Sequence, residues 1–349
     1  MDKIKAIGLY SGGLDSILAI QIILEAAKDE IEIIPTRFIT AFFDYKNDEE
    51  FKKETEYLKE KFGLVLRVVG IIDDYLKILN KPKFGYGKNL NPCIDCKILM
   101  LAKAKEIMEK EKADFIFTGE VVGQRPKSQK MDTIRIIERE AGLDGYLVRP
   151  LSAKLLKETI PEKEGLLKRE ALLGLNGRGR GNQLELAKKY GIQYFATPSG
   201  GCLLTDIEYA RKLKIIKDKI GIEGHLLKFL SSGRAFIINK NLFIVGRNEK
   251  ENKKIIELAN EKDLIVEANN ISGPACIFLN GSKVLGCLFG IKKLKIVGSI
   301  CAYYISKKNK KENNKIEMNY IVKDKEVLKV IKTLKVSPIK EEGLREHKV

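Results

Sequence analysis

One stretch constrains this chain more than any other: Ile4 to Tyr10 reads as an apolar strand, Ser11-Gly12-Gly13 breaks it, and Leu14 to Ala27 carries helical periodicity. A strand that meets a helix through a glycine loop is the unit from which parallel sheets are built. The cadence repeats, with strands predicted over Ile31 to Phe43, Val65 to Ile72 and Ala113 to Thr118, and helices over Glu49 to Phe62 and Cys96 to Lys112. Strands alternating with helices predict an α/β domain whose parallel sheet is covered on both faces. Further on, a helix over Met131 to Glu140 precedes a short strand at Tyr146 to Val148 and then Arg149-Pro150-Leu151. Lys163 to Gly191 reads as helix interrupted by a flexible basic loop, Gly177-Arg178-Gly179-Arg180-Gly181.

A chain of 349 residues is long enough for two cored domains. Charge divides it the same way. Lys+Arg against Asp+Glu is 34 to 32 over residues 1–210 but 30 to 15 over 211–349, so most of the net +17 lies in the second part. Such a basic half beside a near-neutral one predicts a polyanion-binding module joined to a different one, because Lys and Arg release the counterions condensed on nucleic acid. The predicted division is residues 1–205, a connector helix at 206–222, a basic α+β domain at 223–335 and a frayed tail at 336–349 rich in Glu and Lys. The N-terminus lacks a signal-like apolar region, and no stretch approaches the ~18 apolar residues of a membrane span, so a cytoplasmic protein with no membrane partner is expected.

The loop Ser11-Gly12-Gly13-Leu14-Asp15-Ser16 sits where parallel sheets bind phosphate. Glycines let backbone N–H groups approach an anion, and Ser11 and Ser16 add hydroxyl donors. The loop lacks the Gly-Lys-Ser/Thr ending of a Walker A motif. Asp15 would reach phosphates through Mg²⁺, since a carboxylate facing them needs a cation between.

Six cysteines in an intracellular chain are poor candidates for disulfide staples. Cys93 and Cys96 begin a helix, on one face, where the helix N-terminus favours thiolates; Cys202 follows Pro198-Ser199-Gly200-Gly201 in a glycine-rich turn. Four readings stay open for this trio: ligands of an iron-sulfur cluster, a disulfide or persulfide relay, a zinc site short of a fourth protein ligand, or buried structural thiols. Cys276, Cys287 and Cys301 lie in apolar contexts and read as core.

The Ser-Gly-Gly-x-Asp-Ser signature resembles that of the PP-loop, or N-type ATP pyrophosphatase, superfamily, which cleaves ATP between its first and second phosphates and transfers AMP to a carbonyl oxygen. With Cys93-x-x-Cys96 and the later Gly-Gly-Cys202, the chain resembles the tRNA thiouridine synthetases related to ThiI and MnmA, particularly the cluster-dependent ones. Thr118-Gly119-Glu120-Val121-Val122-Gly123-Gln124 is similar to the TGxxxGQ segment of ThiI, and Arg149-Pro150-Leu151 to the RPL after it. The resemblance implies ATP, Mg²⁺ and a [4Fe-4S] cluster as cofactors. It implies Ser11, Gly12, Gly13, Asp15, Ser16, Phe43, Gly119 and Gln124 at the nucleotide, with Phe42 and Asp44 near adenine and Arg125 and Lys127 near phosphate. Cys93, Cys96 and Cys202 would handle sulfur and ligate the cluster. The chain departs from ThiI in starting directly at the phosphate loop, without a THUMP domain, and in lacking a rhodanese-like tail.

The basic half resembles the NFACT-R RNA-binding domain through Val245-Gly246-Arg247-Asn248, Gly273-Pro274, Cys301-Ala302-Tyr303-Tyr304 and the Lys-rich stretch to Tyr320. Arg178, Arg180, Arg234, Arg247, Lys292, Lys293, Lys295, Lys307, Lys308 and Lys310 are the expected phosphate contacts, and Tyr303 and Tyr304 the expected base-stacking residues. The resulting expectation is an ATP-dependent tRNA sulfurtransferase that adenylates a uridine carbonyl, 4-thiouridine being favoured over 2-thiouridine. Its partners would be tRNA, a sulfide or persulfide donor and, as one open assembly, a second copy in a homodimer. An ammonia-using amidating relative leaves the three cysteines idle, and a non-catalytic RNA-binding protein leaves the intact loop unexplained.

Overall fold

The computed structural model describes residues 3–43, 48–195, 201–286, 290–309, 314–325 and 327–349. Asp44, residues 198–200, Cys287 and Lys310 lie outside the described residues. The chain divides into two compact units, residues 1–205 and 206–349.

The first unit is the expected α/β domain. Strands β1 (Ile4–Leu9), β2 (Ile31–Ile39), β3 (Arg67–Gly70), β4 (Phe115–Thr118) and β5 (Leu147–Val148) form one parallel sheet in the order β3-β2-β1-β4-β5. Helix α1 (Leu14–Ala26) covers one face, where Ala6, Phe115 and Phe117 join its Leu14, Ile17 and Leu18. Neighbouring residues Ile7 and Ile116 point the other way and pack with Leu101, Ala104 and Ile137. Burial on both faces explains why β1 and β4 read as continuous apolar runs. The strand order reverses between β1 and β4, and a crevice opens beyond their carboxyl ends at such a switch point.

Four further helices complete the unit, α2 (Asp48–Phe62), α3 (Ile72–Asn80), α4 (Cys93–Glu111) and α5 (Met131–Glu140), and of these α3 and α4 line the crevice through Tyr75, Cys93, Cys96 and Met100. The stretch expected as interrupted helix over 163–191 is different. After a short helix, α6 (Ile160–Lys163), the chain runs as a loop with one 3₁₀ turn until α7 (Gly181–Lys189). Its backbone is satisfied by neighbours rather than by itself: Lys168 N–H donates to Ala26 O (2.7 Å), Leu173 to Pro150 O (2.8 Å), Leu175 to Leu151 O (2.7 Å) and Gly177 to Val122 O (2.8 Å). Tertiary bonds and the burial of Leu167 and Leu172 in the α1 core outweigh the helical propensity of this Leu- and Lys-rich stretch.

The second unit opens with α8 (Ile207–Ile220), capped by Asp206 and burying Tyr209, Ala210, Leu213 and Ile216 along one face, followed by the turn α9 (Gly224–Leu227). Strands β6 (Arg234–Ile238), β7 (Asn241–Val245), β8 (Leu264–Ala268), β9 (Cys276–Phe278), β10 (Ile316–Asp324) and β11 (Val327–Val336) form an antiparallel sheet in the order β11-β10-β8-β9-β7-β6. Helix α10 (Glu249–Leu258) joins β7 to β8, and α11 (Gly290–Asn309) covers one face, its Leu294, Val297, Ile300 and Cys301 packing on Phe243, Phe278 and Tyr320. Cys276 and Cys301 are core, as their sequence context indicates. Among the described residues no helix is long and apolar enough to cross a membrane.

The C-terminal tail is not frayed. It forms α12 (Glu341–His347), whose Leu344 is only 6% exposed in this core, and Val349 N–H donates to Ala235 O (3.0 Å). Composition missed this because buried Leu344 and Val349 and one strand-edge bond suffice to dock a helix that is otherwise mostly charged. Leu344→Ala should therefore destabilise the second unit by about 2–3 kcal/mol, read as a lowered urea midpoint, whereas a frayed end would leave it within about 0.5 kcal/mol.

Candidate active site

The phosphate loop is shaped by what glycine omits. Gly12 has φ +73°, and a Cβ there would lie 2.0 Å from Glu54 Oε1. Glu54 is itself buried beneath the loop and ion-paired with buried Arg37. Gly13 caps α1 with no side-chain hydrogen bond, so the first-turn N–H groups keep the anion-binding capacity of a helix N-terminus. Ser16 is committed to the loop: its hydroxyl donates to Gly13 O (2.8 Å) and accepts from Ser11 N–H (3.3 Å).

Gly119, directly after β4, lies against this loop. A Cβ there would stand 2.4 Å from Asp15 O and 2.7 Å from Ser16 N, which are backbone atoms that cannot swing away. Five residues on, Gln124 Nε2 donates to Asp15 Oδ2 (3.0 Å). The sequence pairing of Gly119 and Gln124 with the loop thus has a geometric basis, though Gly119 acts by close approach of backbones.

Three thiols come to the same place. Cys93 and Cys96 sit on the first turn of α4; Asn91 Nδ2 donates to Cys93 Sγ (3.0 Å), and Asp95 ties the preceding loop by accepting Lys83 N–H (2.7 Å) and Phe84 N–H (3.2 Å). Cys202, 106 positions after Cys96 in the chain, is returned by backbone bonds. Leu203 N–H donates to Phe42 O (2.8 Å), and Asn89 Nδ2 to Thr205 O (2.8 Å), while the Thr205 hydroxyl donates to Cys202 O (2.7 Å). A single cleft of 850 Å³ is lined by Ser11, Gly13, Asp15 and Ser16 on one side and by Cys93, Cys96 and Cys202 on the other. Phe43 and Gln124 also line it; Phe42 does not, being fully buried against Tyr75.

Cys96 is not the ready thiolate that a helix N-terminus suggests. Burial pushes Cys96 up to about 12, against the opposing pull of Lys97 and with added repulsion from Cys202 and Cys93. Burial likewise pushes Cys202 up to about 11, despite backbone N–H groups and Arg125. Desolvation outweighs the helix terminus. Among the described residues no three His, Cys, Asp or Glu side chains are gathered as ligands of one metal ion. Behind the thiols lies a buried charge network that sequence reading missed: Glu120 is 3.5 Å from Lys97 Nζ, accepts from Arg149 Nε (3.3 Å) and from the Thr118 hydroxyl (3.1 Å). Burial would raise the Glu120 carboxyl, yet Lys97 and Arg149 hold it below its usual range. Lys127 lines the cleft, and its ammonium also bonds to Tyr86 O.

Of the expected RNA contacts, Arg180 lies in this cleft instead, its Nη2 3.8 Å from Asp15 Oδ1; Arg178 is exposed on the preceding loop. In the second unit, Arg247 is occupied by Glu251, through its own N–H (2.8 Å) and Nε (2.9 Å). Lys292, Lys295, Lys307 and Lys308 are exposed on α11, and Lys293 is half-buried. Tyr303 and Tyr304 pack partly on the sheet core and carry cations over their rings, Lys307 at 5.7 Å and Arg234 at 4.7 Å.

A glycine phosphate loop at the switch point of a five-stranded parallel sheet defines the first unit as a PP-loop α/β domain. Residues 2–162 match the family model of the thiamine biosynthesis protein ThiI, and residues 233–347 that of the NFACT protein RNA binding domain. The two matches fall one in each unit. Among solved structures it is similar to a 4-thiouridine synthetase in complex with RNA and bound ATP (23% identity, TM-score 0.37), with 54% of this chain matching 40% of that one. It is also similar to the U34-tRNA thiolase NcsA from Methanococcus maripaludis with its [4Fe-4S] cluster (21%, TM-score 0.34; 63% and 67% covered). A third likeness is to the C-terminal part of the fibronectin/fibrinogen-binding protein from Streptococcus suis (13%, TM-score 0.27; 79% and 98% covered). No curated protein matches.

Two outcomes are expected. Gly119→Ala should cost at least about 1–3 kcal/mol, because the phosphate loop must move, and should weaken anion binding in calorimetry. For the metal-free protein, iodoacetamide labelling of Cys202 at pH 8, read by peptide mass spectrometry, should be roughly a hundredfold slower than a free cysteine and should climb only as pH approaches 11.

Proposed function

We propose that this protein is an ATP-dependent tRNA sulfurtransferase. The observation that carries the reading is the shared cleft: thiols from positions 93, 96 and 202 face the same space as the phosphate loop. ATP places its phosphates at the N-terminus of α1. A uracil carbonyl oxygen attacks the α-phosphorus, the bond to the bridging oxygen breaks, pyrophosphate leaves with the electron pair, and the N3 proton passes to water. Hydrosulfide, derived from a sulfide or persulfide donor, then forms the C–S bond as the C–O bond breaks and AMP departs. Adenylation is needed because a uracil oxygen is otherwise a poor leaving group. 4-Thiouridine is the favoured product.

The residues fit the two inorganic groups this chemistry calls for. Asp15 Oδ1 is buried without a hydrogen bond and faces the cleft, an open acceptor suited to Mg²⁺, which would offset phosphate charge. Cys93, Cys96 and Cys202 supply three soft donors. A [4Fe-4S] cluster bound there would supply a soft site for sulfur, and its positive irons would offset the cost of ionising buried thiols. Lys97 and Arg125 add positive potential beside Cys96 and Cys202. The basic second unit supplies the hold on RNA.

Asp15→Ala should lower pyrophosphate release from ATP and tRNA by about a hundredfold or more while tRNA affinity holds. Cys202→Ala should stop thiolation, measured by nucleoside mass spectrometry after incubation with tRNA and sulfide. Normal thionucleoside levels in either variant would sink the scheme.

A further inference from the structure

The cleft contains polar atoms that are buried and make no hydrogen bond, among them Asp15 Oδ1 and Arg180 Nε. The two side chains are neighbours. Arg180 Nη2 stands 3.8 Å from Asp15 Oδ1, too long for a hydrogen bond, with the two side chains 25% and 21% exposed. A pair so placed contributes little by itself. Its position, however, is fixed from several sides. Gly177, at φ +87°, donates its N–H to Val122 O (2.8 Å), Asn176 bridges Val122, and Leu184 N–H donates to Arg180 O (3.0 Å) at the start of α7. The frame delivers a guanidinium beside the phosphate loop's Asp15 and leaves most of its five donors uncommitted.

We propose that Arg180 is a catalytic residue that binds the departing pyrophosphate, an inference that rests on the ATP reading above. A polyphosphate carries several negative charges where Asp15 carries one, and a guanidinium matches two phosphate oxygens at once, so Arg180 turns from Asp15 to the β- and γ-phosphates. That exchange frees the Asp15 carboxylate for Mg²⁺. As the bond between the α-phosphorus and the bridging oxygen breaks, its electron pair moves onto pyrophosphate, and Arg180 stabilises the charge that develops there. One residue thereby accounts for two otherwise unpartnered atoms.

The test is calorimetric titration of the full chain, with Mg²⁺, by pyrophosphate, ATP and AMP, for wild type, Arg180→Ala and Arg180→Lys. Arg180→Ala should weaken pyrophosphate and ATP about tenfold to a hundredfold and leave AMP within about twofold, because AMP lacks the phosphates concerned. Arg180→Lys should fall between, and guanidinium ion should restore pyrophosphate release to the alanine variant. Should all three ligands weaken together, the side chain is only structural and the clamp is overturned; undiminished pyrophosphate binding with weakened tRNA binding would overturn it in favour of an RNA-phosphate contact. Wild type that binds neither ATP nor pyrophosphate overturns the nucleotide reading itself, a result distinct from failure of the variant alone.

Discussion

The contact on which the rest of the site depends is the approach of two backbones, Gly119 against Asp15 and Ser16, at a distance that excludes any side chain. It sets the exit of β4 against the start of α1, the two elements that flank the topological switch point. Once that contact is made, Gln124 reaches Asp15, Val122 engages Asn176 and Gly177, and Arg180 is carried to the side of Asp15. Three segments distant in sequence are registered by one missing methyl group. Gly12 repeats the device underneath, where the carboxylate of Glu54 occupies the space a Cβ would need.

Electrostatics then divides the cleft. On the phosphate side, Asp15 Oδ1 and the Arg180 guanidinium line the cleft without a hydrogen bond between them, an arrangement that an anion and a cation can both enter. Behind the thiols, by contrast, Lys97, Glu120, Arg149 and Glu138 form a closed chain of ion pairs, with Arg149 Nη1 donating to Glu138 (2.8 Å). Such a buried network adds little net stability, but removal of one member strands the others and costs about 3–5 kcal/mol. Its effect here is to fix the positive end of Lys97 near Cys96 while keeping that region rigid.

The parallel sheet and the phosphate loop were legible in sequence because each rests on local grammar, apolar periodicity and glycine at a strand end, whereas Gly119 and Gln124 were singled out by the resemblance of residues 118–124 to the ThiI segment. The trio of thiols was legible as residue types, and its convergence depended on bonds no local pattern encodes, Leu203 to Phe42 and Asn89 to Thr205. Residues 164–180 misled because propensity favours helix there while the decisive backbone partners lie on α1, β4 and β5 loops. Arg180 misled differently. In a Gly-Arg-Gly-Arg run both arginines look like solvent-facing RNA contacts, and only the tertiary bridge at Asn176 separates the exposed Arg178 from its neighbour in the cleft. Thiol acidity was misjudged because helix-terminal position is visible in sequence and burial is not.

Charge follows the same division between the two units. In the first, acidic and basic residues nearly balance, and several are consumed in buried pairs such as Arg37 with Glu54 and Arg149 with Glu120. In the second, an excess of cations is distributed over exposed positions, and even where a local partner exists, as for Arg247 with Glu251, the surplus elsewhere maintains a positive field. A buried ion pair shapes a site but exerts little long-range pull; exposed unbalanced charge attracts a polyanion from a distance while specifying little chemistry. On the proposed reading, a chain that both captures RNA and acts on one base gains from keeping the two kinds of charge in separate units, because a cleft with enough net positive charge to hold RNA unaided would compete for the same arginine that the proposed pyrophosphate clamp uses.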